Sequence, residues 1–261
     1  MAFEAVKFFL YFKSAAIARR RRMPMGSGLP ARIFSAIQAD IMRGAYPIGA
    51  RLPSERELSI AYRASRLVVR EAIARLAQAG LVETHPQSGT YVLDFNRKGT
   101  LETLVQVLKI RRSIDRETLD SLLRFRFLTE TEAAREAALR ITTGELALLK
   151  ANLERKRAHL DDVLTLAECD FEFHYAVIEI SGNVINRLIF HSFRPIYSFF
   201  TEFFYSLPGV PAASLRLNAR LLGALSRRDP AGARRAMGAI LRHGARKVYE
   251  AVRDGDSIVI P

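Results

Sequence analysis

At 261 residues the chain can bury one large or two ordinary cores, and its 49% apolar content places it among globular sequences and excludes a disordered one. Its 40 Lys/Arg against 27 Asp/Glu give a formal net charge of +13, which favours a polyanionic partner. A single cysteine, Cys169, excludes an intrachain disulfide, fits a cytoplasmic location and reads as a small buried hydrophobe.

In chain order, residues 1–29 open with an apolar stretch of about ten residues followed by the run Arg19–Arg22, the reverse of signal-peptide order. This segment reads as a disordered or mis-started N-terminal extension, with Met23 or Met25 as alternative starts; a membrane-surface amphipathic segment is the competing reading. No apolar run reaches the about 18–20 residues of a spanning helix, so no membrane partner is expected. The basic excess is loaded forward: residues 1–98 hold 16 Lys/Arg against 7 Asp/Glu, which is +9 of the total.

Residues 30–95 carry the punctuation of a small DNA-binding domain. Ile33, Ile37 and Ile41 recur at helical spacing and Gly44 stops that helix. After the turn-rich stretch Tyr46–Pro53, Ser54 and Glu57 form a capping box that opens a short helix. Arg63-Ala64 is a tight turn, Ser65 caps a second helix with Val69, Ala72, Ile73 and Leu76 on one face, and Gly80 ends it. Leu81–His85 and Thr90–Leu93 are β-rich and separated by Pro86–Gly89, a hairpin. Helix, helix, turn, helix, hairpin is the order of a winged helix-turn-helix. Residues 96–100 read as a linker. From Leu101 onward no strand signal precedes the last few residues: residues 101–254 divide into six or seven helices of an antiparallel bundle, with 255–261 as a tail. The fold class is therefore mainly α, with one small hairpin.

A helix enters a major groove when its exposed face offers donors to phosphates and base edges. Ser65, Arg66 and Arg70 cluster at the start of the second capped helix, Arg56 sits on the helix before it, and the tip Gln87-Ser88-Gly89 is small and polar. One arginine alone would be an ordinary solvated side chain; their clustering between a turn and a wing points to DNA.

Leu52–Leu58, Ser65-Arg66, Val69–Ala72, Gly80–Val82 and Ser88–Val92 together resemble the winged helix of the GntR family of bacterial regulators. The resemblance implies that Arg56, Ser65, Arg66, Arg70 and Gly89 contact operator DNA. It also implies homodimers on palindromic operators, and no enzymatic activity. Two departures stand out: Arg63 where the family commonly has Gly, and Leu67 and Val68 where it has small polar residues. An apolar contact with thymine methyls could replace one lost hydroxyl contact.

Arg126–Glu130, Ala133–Arg135, Asp170–His174 and Ser181–Asn183 resemble the effector domain of the FadR subfamily. Many of its members bind a divalent metal through an Asp, a His four residues on and two later His. Asp170 and His174 start such a set, but Asn218 and Ile240 stand at the later positions, leaving His243, one turn beyond, as the third candidate for zinc or nickel. No cofactor is then required. The subfamily's metal-free fatty-acid regulator binds acyl-CoA, and the aromatic stretch Ile189–Tyr205 suggests an apolar pocket. The expected effector is of acyl or carboxylate type, near Arg126, Asp170, His174, Asn183, Tyr197 and Asn218. The alternatives are a small carboxylate held with a bound metal and, from another class, a metal-dependent hydrolase using Asp170 and His174. No Gly-rich phosphate loop or nucleophile elbow supports the latter.

Overall fold

A computed structural model of the chain describes residues 28–111, 113–251 and 257–259. The N-terminal extension anticipated over 1–29 falls outside them, except that Gly28 and Leu29 already open the first helix. The chain divides into two compact units, the first ending at Arg111.

The first unit holds α1 (Leu29–Met42), α2 (Glu55–Tyr62), α3 (Arg66–Gln78), the hairpin strands β1 (Val82–His85) and β2 (Gly89–Val92), α4 (Phe95–Lys98) and α5 (Leu101–Arg111). Its core is the periodic set read from sequence: Ile33, Ile37 and Ile41 of α1 against Leu58, Val69, Ile73 and Leu76, closed by Leu81, Val82 and Val92. The hairpin is antiparallel, with Val82 opposite Val92 and His85 opposite Gly89. The stretch before α2, expected only as extended, adds a third rung: Leu52 N–H donates to the Thr90 carbonyl at 2.8 Å and Val92 N–H to that of Ala50 at 2.9 Å.

Two boundaries differ from expectation. Residues 96–100 are not a free linker: α4 occupies most of them, and α5 belongs to the first unit. Phe95 and Val107 are buried in the winged-helix core, Thr103 Oγ1 donates to the Ala79 carbonyl at 3.2 Å, and Arg111 reaches the Met42 carbonyl. Sequence period alone cannot say which core an amphipathic helix joins.

The second unit contains seven helices among the described residues: α6 (Arg116–Arg140), α7 (Thr143–Ala158), α8 (Val163–Ile180), α9 (Val184–Ser192), α10 (Arg194–Ser206), α11 (Val210–Ser226) and α12 (Pro230–Ala251). The breaks lie where turn chemistry puts them. Thr142 and Glu145 form a capping box, Gly182 adopts a φ of 78°, and Asp229 accepts from the Gly232 N–H at 2.8 Å ahead of Pro230. Small residues Ala134, Ala137 and Ala138 of α6 let it lie close against α8 and α12. The helical reading fails at one short strand, β3 (Ser113–Asp115), which pairs antiparallel with β4 (Ser257–Val259) in the last few residues, where a strand signal was allowed; Ile114 is buried. The anticipated tail therefore returns in part as an edge partner; three-residue strands carry too little alternation to be read locally. Cys169 is buried.

Candidate functional site

The exposed face of α2 and α3 is fixed by two caps and one turn. Ser54 accepts from the Glu57 N–H at 3.3 Å while the Glu57 carboxylate accepts from the Ser54 N–H at 2.8 Å, which closes the first turn of α2. Arg63 takes a left-handed φ of 51°, doing with a side chain what glycine usually does in such a turn. Ser65 then accepts from the Val68 N–H at 3.3 Å and starts α3.

Arg56, Ser65, Arg66 and Arg70 are all exposed. So is Leu67, at 76%, although nothing in the core needs an apolar residue there. Arg70 is not idle: its Nε and Nη2 donate to the two Glu55 oxygens at 3.1 and 2.9 Å. That fork joins α3 to α2, pulls the Glu55 carboxyl below its usual range and raises the Arg70 guanidinium. At the hairpin tip Gln87 is exposed with φ of 61°, and Gly89 has φ of 132°. That φ is one that L side chains rarely adopt, so this position demands glycine, while the Arg51 side chain that lies against it can move aside.

The helical unit holds a cavity of about 90 Å³, with Arg126, Asp170, His174 and Tyr197 on its polar side and Leu123 and Phe193 among its apolar walls. Behind the polar side lies a buried cluster. Asp170 accepts from Lys156 Nζ at 2.8 Å, Tyr205 Oη at 2.5 Å and Tyr197 Oη at 2.7 Å. Glu130 accepts from Arg126 Nε at 2.6 Å and contacts His174 Nδ1. Arg126 also lies over the Tyr197 ring, 4.5 Å from its centroid, and donates to Tyr197 Oη at 3.3 Å. Burial alone would raise both carboxyls, but Lys156 and then His174 hold Asp170 far below the ordinary range, and Arg126 and then His174 lower Glu130. Burial, reinforced by Asp170, drives both tyrosines well above theirs.

Four of the expected effector residues thus converge, and two do not. Asn183 is the exposed N-cap of α9, accepting from the Asn186 N–H at 3.0 Å, and does not line the cavity. Asn218 is fully buried behind it: with its amide turned to satisfy both ends, the nitrogen donates to the Ser214 carbonyl at 3.1 Å and the oxygen accepts from Lys156 Nζ at 3.2 Å.

The third expected metal ligand is displaced too. His243 lines the cavity, but its Nδ1 faces Arg246 Nη2 at 3.3 Å, and it does not join Asp170 and His174. Among the described residues no group of three or more His, Cys, Asp or Glu is placed to hold a metal ion. With Asp170 engaged by an ammonium and two phenols, the residues present do not fit a divalent ion.

Sequence reasoning missed Lys156, Tyr205, Ser214 and the partner role of Glu130. One signal was available: Lys156 follows Leu149 and Leu153 at helical spacing, a cation in line with a buried face.

Comparison with known proteins agrees with this division. Residues 29–92 match the family described as bacterial regulatory proteins, gntR family, and residues 121–243 match the FCD domain. The chain is 30% identical over 217 residues to the HTH-type transcriptional regulator Mce2R of Mycobacterium tuberculosis, covering 80% of this chain and 86% of that one. It is 29% identical over 154 residues to the galactonate operon transcriptional repressor of Escherichia coli, covering 59% and 67%. Lar, which controls the expression of the Listeria monocytogenes agr system, has a solved structure that shares the fold at a TM-score of 0.57 and 17% identity, over 87% of this chain and 99% of that one. Among the described residues no helix is long and apolar enough to cross a membrane. A winged helix with an exposed arginine face, followed by an FCD domain, is the make-up of a transcriptional regulator, and the chain belongs to the GntR family.

Proposed function

We propose that this regulator binds a palindromic operator as a homodimer and answers to a small apolar carboxylic acid held in the helical unit. The observation that carries the DNA half is the face of α2 and α3, where Arg56, Ser65, Arg66 and Arg70 stand exposed on capped helices beside a hairpin tip built from Gln87 and Gly89. Arg66 feels the Glu55 carboxylate only at a distance and makes no salt bridge or side-chain hydrogen bond among the described residues, so it can address a guanine edge or a phosphate. Arg70 is held by Glu55 in an exposed pair that contributes little to folding, so phosphate can replace the carboxylate at small cost.

The effector half rests on the cavity's polarity. Among the described residues Arg126 donates through Nε and Nη2 to Glu130 and Tyr197 and not through Nη1, and leucine and phenylalanine side chains line much of the rest of the cavity. A carboxylate meeting Arg126 with its hydrocarbon body among those walls fits that arrangement. Such a ligand regulates if it prefers one of two forms of the dimer; it need not touch DNA.

The test has two stages. Duplexes enriched from a random pool by the purified protein should converge on an inverted repeat. Medium-chain fatty acids, acyl-CoAs and aryl carboxylates are then titrated into the protein–duplex complex. A change in affinity with one acid class, lost in Arg126→Ala, supports the reading. No enriched sequence would refute the DNA half, and indifference of the complex to all three classes would refute the effector half.

A further inference from the structure

Lys156 is 0% exposed, and a buried ammonium persists only where acceptors replace its water. This one has three: Asp170 Oδ1 at 2.8 Å, Ser214 Oγ at 3.1 Å and the Asn218 side-chain oxygen at 3.2 Å. The face of Tyr205 adds a fourth contact, 4.9 Å from ring centroid to Nζ. A carboxylate, a hydroxyl and an amide oxygen from α8 and α11, gathered around one positive charge supplied by α7, are a cation's coordination set. Here the cation is covalently attached.

From Lys156 a continuous line of contacts runs to the cavity wall. Asp170 holds Tyr197 at 2.7 Å, Tyr197 carries Arg126 on its ring, and both Tyr197 and Arg126 line the cavity. We propose that Lys156 is the resident cation of this domain: its ammonium assembles Asp170, Ser214 and Asn218 where the family resemblance implied a divalent metal, and the effector cavity is built without one. Lys156 is thus a positioning residue for Arg126 and Tyr197. The inference concerns how the cavity is built and stands apart from which acid occupies it.

Full-length protein, purified without chelator, is analysed for metal content and by thermal unfolding with EDTA, Zn²⁺ or Ni²⁺. The wild type should carry no stoichiometric metal and melt at the same temperature in all three. Lys156→Ala should melt on the order of 10 °C lower. Part of that loss should return with n-propylammonium, which replaces the deleted atoms, or with a divalent ion; the wild type should respond to neither.

If Lys156→Ala does not fold, the pair Lys156→Met and Lys156→Met/Asp170→Asn decides. Removing the charge from Asp170 should recover stability that Lys156→Met loses. The proposal is overturned by a wild-type metal whose removal lowers the melting temperature. It is equally overturned by a Lys156→Ala protein that melts like the wild type or is not restored by either cation, or by a double variant no more stable than Lys156→Met.

Discussion

The exposed face of α2 and α3 and the polar side of the cavity in the helical unit each contain an arginine paired with a glutamate, and the two pairs sit in opposite surroundings. Arg70–Glu55 lies on the surface, with the arginine side chain 69% exposed, and links two helices already fixed by their own caps. Arg126–Glu130 has its glutamate at 0% exposure and shares it with His174. Water competes freely for the first pair and cannot reach the Glu130 carboxylate of the second, so in the proposed function phosphate replaces the first carboxylate while Glu130 holds the wall of a cavity in place. On the proposed function, the same chemistry is a removable latch in one place and a fixed strut in the other.

Removing one member from each region separates the roles. Glu130→Ala leaves Arg126 and His174 facing a buried void and should destabilise the protein by about 3–5 kcal/mol in chemical denaturation. Acid should act through the same group. Folding depresses the Glu130 pKa, so its contribution is present above the ordinary carboxylate value and is lost as pH falls below about 4. Melting curves of Glu130→Gln should fall less steeply on that acid limb than those of the wild type.

Gly89→Ala comes next. The φ of 132° should cost about 1–3 kcal/mol in an alanine and displace the wing, weakening duplex binding more than it lowers the melting temperature. Ser54→Ala should cost about 1 kcal/mol by removing the cap of α2. Smallest of all, Glu55→Gln should change stability by under about 1 kcal/mol, yet leave duplex affinity unchanged or tighter, because Arg70 loses its competitor. A loss of affinity in Glu55→Gln would mean that the surface pair is a strut as well. A related probe is Leu67: replacing thymine by deoxyuracil along a selected duplex should weaken binding at one position per half-site, and Leu67→Ser, which has no methyl group, should erase that sensitivity.

The winged helix was legible because each of its parts is written locally. Ser54 and Glu57 lie three residues apart, the buried face of α3 repeats within four, and Gly80 follows the helix it ends. The cavity was half legible. Asp170 and His174 are neighbours on one helix, and the aromatic run of α10 announced an apolar site. Their partners come from far away: Glu130 is 44 residues from His174, and Ser214 is 58 from Lys156. No local pattern encodes such pairings. Asn183 was misplaced because the Ser-Gly-Asn stretch that marks a turn also supplies a helix cap, and the cap claims its side chain. The domain boundary was misplaced because α5 is amphipathic whichever core it joins.

The central claim is that α3 reads an operator through Arg66. Fluorescence anisotropy of the enriched duplex and of a scrambled duplex, each titrated with wild type and Arg66→Ala at one salt concentration, tests it most directly. The account predicts that Arg66→Ala, folded as judged by an unchanged melting temperature, loses about tenfold to a hundredfold in affinity for the enriched duplex and far less for the scrambled one. Equal affinity of the two proteins for the enriched duplex would contradict it.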